Sequence, residues 1–584
     1  MPEQEEFYYA GGRRILLLRD PERYAVRYRE PDVTTRAAVE SERQEAERAV
    51  GVVERLEIPR RNIVILRCQP SATRNSDAHA ARLEDLARRE DVEFVTPVYR
   101  EATQGLQLIP TDEINVRFKP DVTPEQIDEL NARYGVEIVR QSSWSPQEYT
   151  LRVKSPQEHN PIEVANAYYE SGLTEWAEPN FLTEGRKHFL PDDPLLVNQW
   201  HLENTGQGGG TVGEDVHAQD AWDITTGSPD IVIAILDDGV DIGHPDLAAN
   251  IHPQGYDFFD DDNDPRPRYF AVPYDATDDN DIHGTPCAGV AAACGNNGIG
   301  VTGIAFSCRV LPIKVWGAPN LAPNSAIAES IRYAAQYAAV LSGSWSSAES
   351  DMVRQAIEDV TREARGGLGV LAFFSSGNDP AWRGRGVAFP AQVDAAIAVG
   401  ASTNQGRRAG YSNYGPELDF VAPSNGGTLG IWTTDVSYQD RGYNMGSDGA
   451  GGSDGLYTNS FGGTSSACPL AAGIGALVLS VRPDLPAALV RRILRGTCDK
   501  IGPRPYVNGR NDEYGWGRVN AQRAVETARL APIGNRRSKE MHRAWCSWAR
   551  RMADHNKVHF MTVEEGLDAG YNGCWYCLRQ YDTG

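Results

Sequence analysis

The chain has 584 residues and a formal net charge of −23, and 41% of its residues are hydrophobic. This length predicts two or three domains with at least one large core. The excess of acidic residues argues against nucleic acid or an anionic membrane as the main partner. No stretch of the sequence approaches the ~18 consecutive apolar residues of a membrane span.

The cysteines and the first residues bear on the location of the protein. Nine scattered cysteines lack the spacing pattern of a disulfide framework. The acidic start, MPEQEEFYY, differs from the basic and then apolar pattern of a secretory signal. We therefore expect a reducing, cytoplasmic environment, with export by another route left open.

Residues 1–110 and 111–183 are predicted to form two small α+β units in tandem. In the second unit, Thr123 is placed to cap a helix that begins before Glu125 and Gln126. The first unit repeats the pattern loosely, and neither unit carries a catalytic constellation. The second unit has strand-like segments at 114–120, 136–141 and 148–154, helical segments at 123–135 and 162–172, and a closing segment at 176–181.

A linker at 184–194 separates these units from a region with a different pattern. From residue 195 to about 530, β-like apolar runs alternate with helical stretches. This alternation predicts an α/β domain with a doubly wound, mostly parallel sheet. Residues 531–584 are predicted to form a separate polar extension. The β-like runs are IVIAILD (231–237), RVLPIKV (309–315), GVLAFFS (369–375) and AIAVGAS (396–402).

Three segments of this domain carry an acid, a histidine and a serine in the setting that nucleophilic catalysis needs. Asp237 ends a buried run, His283 precedes a helix of small residues, and Ser465 begins a helix after two glycines and a threonine. A serine hydroxyl becomes nucleophilic when an imidazole removes its proton, and the imidazole needs a buried carboxylate. Amides at the helix start and the side chain of Asn378 are expected to stabilise the oxyanion.

These motifs resemble the subtilisin-like (subtilase) family of serine proteases, and the wording HGTPCAG with the acid pair Asp237-Asp238 is similar to its kexin-like branch. The resemblance runs from about Asp193 to about Ala528. It implies an endopeptidase that acts on proteins and peptides through an acyl-enzyme. The motifs that carry it are ILDDGVD (235–241), DIHGTPCAG (281–289), FFSSGN (373–378) and FGGTSSACPLAAG (461–473).

Two other functions were weighed against an active protease. A scaffold that has lost the chemistry is the second hypothesis, although the complete set of catalytic residues argues against it. A lipase or esterase would need a Gly-x-Ser-x-Gly elbow followed by the acid and the histidine. Here the acid and the histidine come before Ser465, which excludes that class.

The resemblance also implies a substrate groove. Ser344, Trp345 and Ser346 match the segment that pairs with the peptide as an extra strand. The family usually has glycine at the position of Ser346, so we expect a reshaped pocket. Asp238 and Glu349 match positions where kexin-like relatives carry acids that face basic side chains, which predicts cleavage after basic residues. The alternative is that both acids are solvated.

A structural calcium ion is expected at a loop that resembles the strong calcium site of the family. Oxygen ligands of this kind suit Ca²⁺. Two acidic stretches, 257–267 and 275–281, could hold a second ion, but a solvated acidic loop is the favoured interpretation. The expected calcium ligands are the side chains of Asp193, Asp246 and Asn297 and the backbone carbonyls of Cys294, Ile299 and Val301.

The N-terminal units are expected to regulate the protease. The unit at 111–183 resembles the inhibitory propeptide of the family, and a cut after the basic pair Arg186-Lys187 would release it. Residues 1–110 are interpreted either as a duplicated prodomain or as a docking module for a regulatory partner.

The tail contains a single C-x₂-C in GCWYC (573–577), with Cys546, His555 and His559 elsewhere in the extension. One such pair is a weak signal for zinc, because zinc sites typically combine two half-sites. Neither a zinc site nor a redox site is assigned from the sequence.

Overall fold

The computed structural model divides into two units. Unit 1 holds the described residues within Met1–Arg186, Ile533–Val558 and Gly566–Gly584, and unit 2 holds those within Lys187–Pro532 and His559–Glu565. The structure describes residues 6–29, 36–49, 52–58, 63–68, 84–101, 106–156, 158–183, 189–268, 281–317, 320–379, 386–437, 442–443, 455–578 and 581–582.

The N-terminal part of unit 1 is built on one nine-stranded sheet with the order β3-β4-β2-β5-β6-β8-β7, in which β1 also pairs with β2 and β9 with β6. In the described part of the chain, the sheet is accompanied by a short helical turn at 84–87 and by α1 (Arg36–Ala49), α2 (Pro124–Tyr134) and α3 (Pro161–Glu170). The strands are β1 (Phe7–Ala10), β2 (Arg13–Tyr28), β3 (Val52–Ile58), β4 (Ile63–Cys68), β5 (Val92–Glu101), β6 (Gln107–Phe118), β7 (Val136–Gln141), β8 (Glu148–Val153) and β9 (Thr174–Thr183).

The two halves of this sheet share one βαββαβ topology. The second half runs β6-α2-β7-β8-α3-β9 with the strand order β9-β6-β8-β7, the ferredoxin-like arrangement. The first half runs β2-α1-β3-β4, a short helical turn at 84–87, and β5, with the equivalent order β5-β2-β4-β3. The loose repeat that the sequence indicated between the two halves is therefore a repeat of strand and helix topology.

The sheet differs from the expectation of two separate units at one point. The boundary placed between residues 110 and 111 lies inside β6. This strand pairs with β5 through Leu108, and it pairs with β9 on both sides of a register shift between Pro110 and Ile114. Because β6 serves both halves, the backbone hydrogen bonds of one sheet run through the predicted boundary.

The predicted cap of α2 is confirmed. Thr123 accepts a hydrogen bond from the backbone N–H of Gln126, whose side chain accepts one in return from the Thr123 N–H. This reciprocal capping box satisfies donors that the first helical turn leaves free. Gly135 ends the helix in the left-handed conformation, with φ of 62°.

Unit 2 confirms the predicted α/β class. Its main sheet is parallel throughout, with the order β11-β12-β10-β13-β14-β15-β16. The strands are β10 (Val232–Asp237), β11 (Tyr256–Asp257), β12 (Arg309–Lys314), β13 (Val340–Gly343), β14 (Leu371–Ser375), β15 (Ile397–Ser402), β16 (Phe420–Pro423) and a separate hairpin, β17 (Ile431–Thr434) with β18 (Tyr457–Phe461). The helices are α4 (Ala218–Trp222), α5 (Gly284–Ala292), α6 (Asn324–Tyr337), α7 (Asp351–Gly367), α8 (Gly463–Val481), α9 (Ala487–Gly496) and α10 (Ala521–Leu530).

Alternate residues of the central strand enter two different cores. Ile233 and Ile235 of β10 pack in the core that includes α5 and α8, whereas Ala234 and Leu236 pack in the core that includes α6 and α7. A strand buried on both faces reads as a continuous apolar run, as β10 does. Among the described residues, α8 is the one helix long and apolar enough to cross a membrane. Of its apolar stretch, 83% is buried inside the protein.

The predicted extension at 531–584 is divided between the two units. Its short strands form a second sheet with the order β21-β19-β20-β22. The elements are β19 (Ile533–Asn535), β20 (Glu540–His542), α11 (Ser547–Arg551), β21 (Lys557–His559), α12 (Val563–Asp568) and β22 (Asn572–Gly573).

Candidate active site

The three predicted catalytic residues are carried by elements of the main sheet and its covering helices. Asp237 is the last residue of β10, His283 precedes α5, and Ser465 lies in the first turn of α8. The strand β10 lies between β12 and β13 in the sheet, so the strand order reverses there. In open α/β sheets the crevice at such a switch point, beyond the carboxyl ends of the strands, is where ligands bind.

Asp237 and His283 are in direct contact. Asp237 Oδ1 lies 2.8 Å from His283 Nδ1 and also accepts a hydrogen bond of 2.9 Å from the Asp238 N–H. The His283 side chain is 27% exposed. Burial lowers the pKa of His283, but the carboxylate of Asp237 and smaller contributions from neighbouring groups together hold that pKa well above its ordinary value. The pair therefore has the geometry of a base and its orienting acid.

Ser465 lies beside this pair, in a buried position that is 9% exposed. Its Oγ donates a hydrogen bond of 3.3 Å to the carbonyl of Ser344, and the Ser344 hydroxyl donates one of 3.0 Å to the Ser465 carbonyl. Cys287 on α5 contacts both His283 and Ser465. Its Sγ lies 3.8 Å from His283 Nδ1 and 3.7 Å from the Ser465 carbonyl. Burial raises the pKa of the Cys287 thiol to about 11, so this residue is a packed thiol rather than a nucleophile.

Asn378 is oriented by the residue that precedes the serine. Its Oδ1 accepts hydrogen bonds of 2.9 Å from both the N–H and the hydroxyl of Thr464, which leaves its NH₂ group as a donor. Gly463 is required next to it for two reasons. Its φ is +71°, and a Cβ there would lie 3.0 Å from Asn378 Nδ2. The glycine lets the chain turn into α8 while the amide stays beside the serine.

The structure differs from the sequence expectation at Asp238. This residue is only 6% exposed, and both of its carboxylate oxygens accept hydrogen bonds from the start of α5, at 2.9 Å from the His283 N–H and 2.7 Å from the Gly284 N–H. Burial and the neighbouring Asp237 raise the pKa of Asp238. Asp238 thus caps the helix that carries His283, which the sequence did not predict.

The other predicted substrate-binding residues follow the end of β13. Trp345 Nε1 donates a hydrogen bond of 2.7 Å to the Leu236 carbonyl, which anchors the segment to β10, and Ser346 is exposed. The side chain of Glu349 is 69% exposed, and Arg354 approaches it at 3.7 Å. Of the two predicted specificity acids, Glu349 is therefore the one open to solvent.

The side chains expected to bind calcium are brought together. Asp246 is fully buried and Asp193 is 3% exposed. Asn297 Nδ2 donates to Asp246 Oδ1 at 2.7 Å, and the Val301 N–H donates to the other oxygen at 2.9 Å. Burial raises the pKa of Asp193, and it raises the pKa of Asp246 to about 6. In the described part of the chain neither carboxylate pairs with a lysine or an arginine, so the donor set fits a hard cation. Cys294 and Ile299, predicted to add carbonyls, lie in the same loop.

A buried charge cluster behind the site was missed by the sequence reasoning. Lys314, at the end of β12, is fully buried and lies 2.8 Å from Asp281 and 3.5 Å from Asp257. Asp257 is 1% exposed, so the interpretation of 257–267 as a solvated loop is wrong for its first residue. A lysine inside the apolar run RVLPIKV was the signal that could have found the cluster, because buried lysines require a partner.

The chain was compared with known proteins. Residues 228–517 match the family model of the subtilases. A calcium-dependent protease of Trichormus variabilis is 32% identical over 485 residues, which cover 77% of this chain and 69% of that protein. The chain belongs to the subtilase family. It is accordingly a serine-type endopeptidase with relatives among the kexin-like enzymes, as the motifs indicated.

Other similar proteins extend this result. The human neuroendocrine convertase 2 is 32% identical over 308 residues, which cover 50% of this chain and 44% of that protein. The solved structure of an Aeromonas sobria serine protease in complex with a chaperone has a TM-score of 0.52 and 22% identity, and the match covers 59% of this chain and 69% of that one. At that identity the structural similarity establishes the fold alone.

Proposed function

We propose that this subtilase hydrolyses peptide bonds with Ser465 as nucleophile, His283 as general base and Asp237 as its orienting acid. The contact of 2.8 Å between Asp237 and His283, beside a serine at the start of α8, carries the proposal. His283 removes the proton of the Ser465 hydroxyl, which attacks the peptide carbonyl. The protonated His283 then passes its proton to the leaving amine, and water repeats the sequence on the acyl-enzyme.

The oxyanion would be held by two donors. The Ser465 N–H lies at the start of α8, where the helix dipole favours negative charge, and the NH₂ group of Asn378 is the second donor. Thr464 supports this role, because its two hydrogen bonds to Asn378 Oδ1 fix which end of the amide is free. Donors that are already oriented need little reorganisation as the charge develops.

A fluorophosphonate probe, which reacts with activated serines, tests the assignment. We expect labelling of wild type and of the matched control Ser466→Ala, and loss of labelling in Ser465→Ala. Peptides ending in Arg-Arg, Lys-Arg or Phe before a reporter group, incubated with calcium, would report hydrolysis in parallel. Absence of labelling and hydrolysis in both the intact and the shortened wild-type chain would contradict the proposal and favour the scaffold hypothesis.

The preference for basic residues is proposed to depend on Glu349. Its exposed carboxylate can form a charge-assisted pair with an arginine or lysine side chain, and the similarity to a convertase supports such a substrate class. Replacement of Glu349 by glutamine is expected to lower kcat/KM for the Arg-Arg peptide but not for the Phe peptide. An unchanged ratio would contradict this role.

A calcium ion is proposed to bind at Asp193, Asp246 and Asn297, with carbonyls of Cys294, Ile299 and Val301. The two buried carboxylates support it, since neither pairs with a lysine or an arginine among the described residues, as does the name of the calcium-dependent protease of Trichormus variabilis. The ion would join the loop after α5 to the segment before α4 and so stabilise the fold. A rise in Tm on addition of calcium that is lost in Asp246→Asn would test it, and an equal rise in both proteins would contradict it.

The chain is proposed to be latent until residues 111–183 are released. The ferredoxin-like topology of β6–β9 supports a propeptide role, while the expected cut after Arg186-Lys187 lies outside the described residues. N-terminal sequencing should find a new terminus at His188 in wild type but not in Ser465→Ala. Full activity with an intact terminus at Met1 or Pro2 would contradict latency.

Residues 1–110 are proposed to regulate this processing. The topology that they share with the second half favours a duplicated prodomain over a docking module for a partner. Deleting residues 1–105 should change the rate of self-processing under the first role and leave it unchanged under the second. A cytoplasmic location is proposed as well. It is supported by the nine cysteines, which are all buried and none of which is in a disulfide, and cell fractionation would test it.

A further inference from the structure

The C-terminal extension brings four side chains that bind soft metal ions to one point. His542, Cys546, Cys574 and Cys577 each direct one ligand atom into a cluster in which all four atoms lie within 4.8 Å of one another. All four residues are buried, with exposures of 2% for His542 and 0% for the three cysteines. The sequence indicated three of these residues without assigning them, and His542 was not considered.

Three places in and beside the small sheet supply the ligands. His542 ends β20, Cys574 directly follows β22, and these two strands pair in parallel through Met541 and Gly573. The hydrogen bond of 2.8 Å from the Cys574 N–H to the Met541 carbonyl continues this pairing to the ligand itself. Cys546 is the residue directly before α11.

The two cysteines of the C-x₂-C lie on a tight turn. The N–H groups of Cys577 and Leu578 both donate to the Cys574 carbonyl, at 3.2 and 2.8 Å. Gly573 permits this turn, because a Cβ there would lie 2.3 Å from the Leu578 carbonyl oxygen. The Arg543 N–H donates to Cys577 Sγ at 3.3 Å, which holds this sulfur beside the chain that follows β20.

The distances fit a tetrahedral ion. Zn–S bonds of about 2.3 Å and Zn–N bonds of about 2.0–2.1 Å place tetrahedral ligand atoms roughly 3.4–3.8 Å apart. Cys546 Sγ lies 3.8 Å from His542 Nδ1. The other ring nitrogen of His542 lies 4.0 Å from a Glu540 carboxylate, on the side where ligating histidines meet an outer carboxylate. The spacing H-x₃-C with C-x₂-C supplies the two half-sites that a structural zinc site needs.

We propose that His542, Cys546, Cys574 and Cys577 bind one structural Zn²⁺ ion. Four protein ligands close the coordination shell, so the site is structural rather than catalytic. The extension is short, and small folds commonly add a structural metal or disulfides because a small core contributes little stability. A disulfide would use two of the three sulfurs, and it would not account for the presence of His542 and the third buried thiol at the same point. His555, which is exposed, and His559, which lies 2.9 Å from Asp484, are not ligands.

Elemental analysis of the full chain tests the site. The protein would carry Ser465→Ala to prevent self-cleavage and would be purified without chelator. We expect one zinc ion per chain, and loss of most of it when Cys574 and Cys577 are both changed to serine. His542→Cys, which keeps four ligands, should retain zinc. Cys498→Ser, which removes a buried cysteine far from the cluster in sequence, should also retain it. Cys287→Ala should retain zinc as well, which excludes the other candidate cluster, formed by Asp237, His283 and Cys287.

A second measurement covers the case in which the cysteine variants do not fold. Wild-type protein with Co²⁺ in place of zinc should show the visible absorption of a tetrahedral, thiolate-bound cobalt ion, and a mercurial reagent should release zinc in proportion to the thiols that it blocks. Iron with acid-labile sulfide, a disulfide found by mass spectrometry among these cysteines, or metal-free wild type with a native fold would each overturn the proposal.

Discussion

Replacing Asp238 by asparagine distinguishes two roles for this acid. If Asp238 reads basic substrates, the change should reduce only the cleavage of basic peptides. The structure instead has both oxygens of Asp238 accepting from the N–H groups of His283 and Gly284. Asparagine offers one acceptor in place of two, so one of these buried N–H groups would lose its partner and face an NH₂ group.

The size of the effect follows from these contacts. A hydrogen bond to a charged group contributes about 1.5–3 kcal/mol, and relief of the repulsion between Asp238 and Asp237 offsets part of that loss. We expect a net destabilisation of about 1–2 kcal/mol. With an unfolding entropy of about 2.1 cal/mol/K per residue over the roughly 350 residues of unit 2, Tm should fall by about 1–3 °C.

Two assays on one pair of variants provide the comparison. Tm would be measured by calorimetry in the Ser465→Ala background, and kcat/KM for the Arg-Arg and Phe peptides in the active enzyme. Asp238→Asn should lower kcat/KM about tenfold for both peptides, the equivalent of about 1.4 kcal/mol of transition-state stabilisation, because His283 is displaced. Glu349→Gln, the matched control on the exposed acid, should keep Tm and change only the ratio of the two peptides.

The opposite pattern would contradict the capping role of Asp238. If Asp238→Asn kept the Tm of the parent and lost activity on the Arg-Arg peptide alone, the acid would face substrate, and the cap would contribute nothing measurable.

Three further outcomes follow from the structure. The neutral imidazole is the base, and Asp237 raises the pKa of His283. Activity should therefore fall as the pH drops through a value above about 6.5, the ordinary pKa of histidine. A pH profile of kcat/KM whose acidic limb lies at or below about 6.5 would contradict the pairing. Changing Lys314 to methionine leaves Asp281 buried without its cation and should cost about 3–5 kcal/mol of unfolding free energy, measured by calorimetry against Lys500→Met; an equal Tm in both variants would argue against the ion pair. Because the pKa of Asp246 is raised to about 6, and calcium needs the ionised carboxylate, the rise in Tm caused by calcium should be present at pH 8 and shrink as pH falls through about 6; a constant rise would place the ion elsewhere.

Much of the architecture was readable from the order of residues. The strand β7 was predicted with its observed bounds, and the cap at Thr123 was predicted with its partner Gln126. Both depend on neighbours within a few positions. The continuity of β6 through the predicted boundary was not predicted, because β6 pairs with strands from both halves of the sheet.

The roles of individual acids divide in the same way. Asp237 and Asp238 are adjacent in sequence, and motif similarity placed both near the site. Only the fold turns the first toward the imidazole and the second toward the helix start, because successive residues at the end of a strand point in different directions. The zinc ligands are a further case, since His542 and Cys577 are brought together by the pairing of β20 with β22.

Local pattern in this sequence determined the alternation of strands and helices, the family, and the residues proposed to carry the chemistry, because each of these depends on side chains close together along the chain. Tertiary structure alone decided which acid caps α5, which lysine is buried between carboxylates, and which histidine completes the cysteine cluster. Those contacts join residues tens of positions apart, and their energies depend on burial and distance, which appear only when the chain is folded.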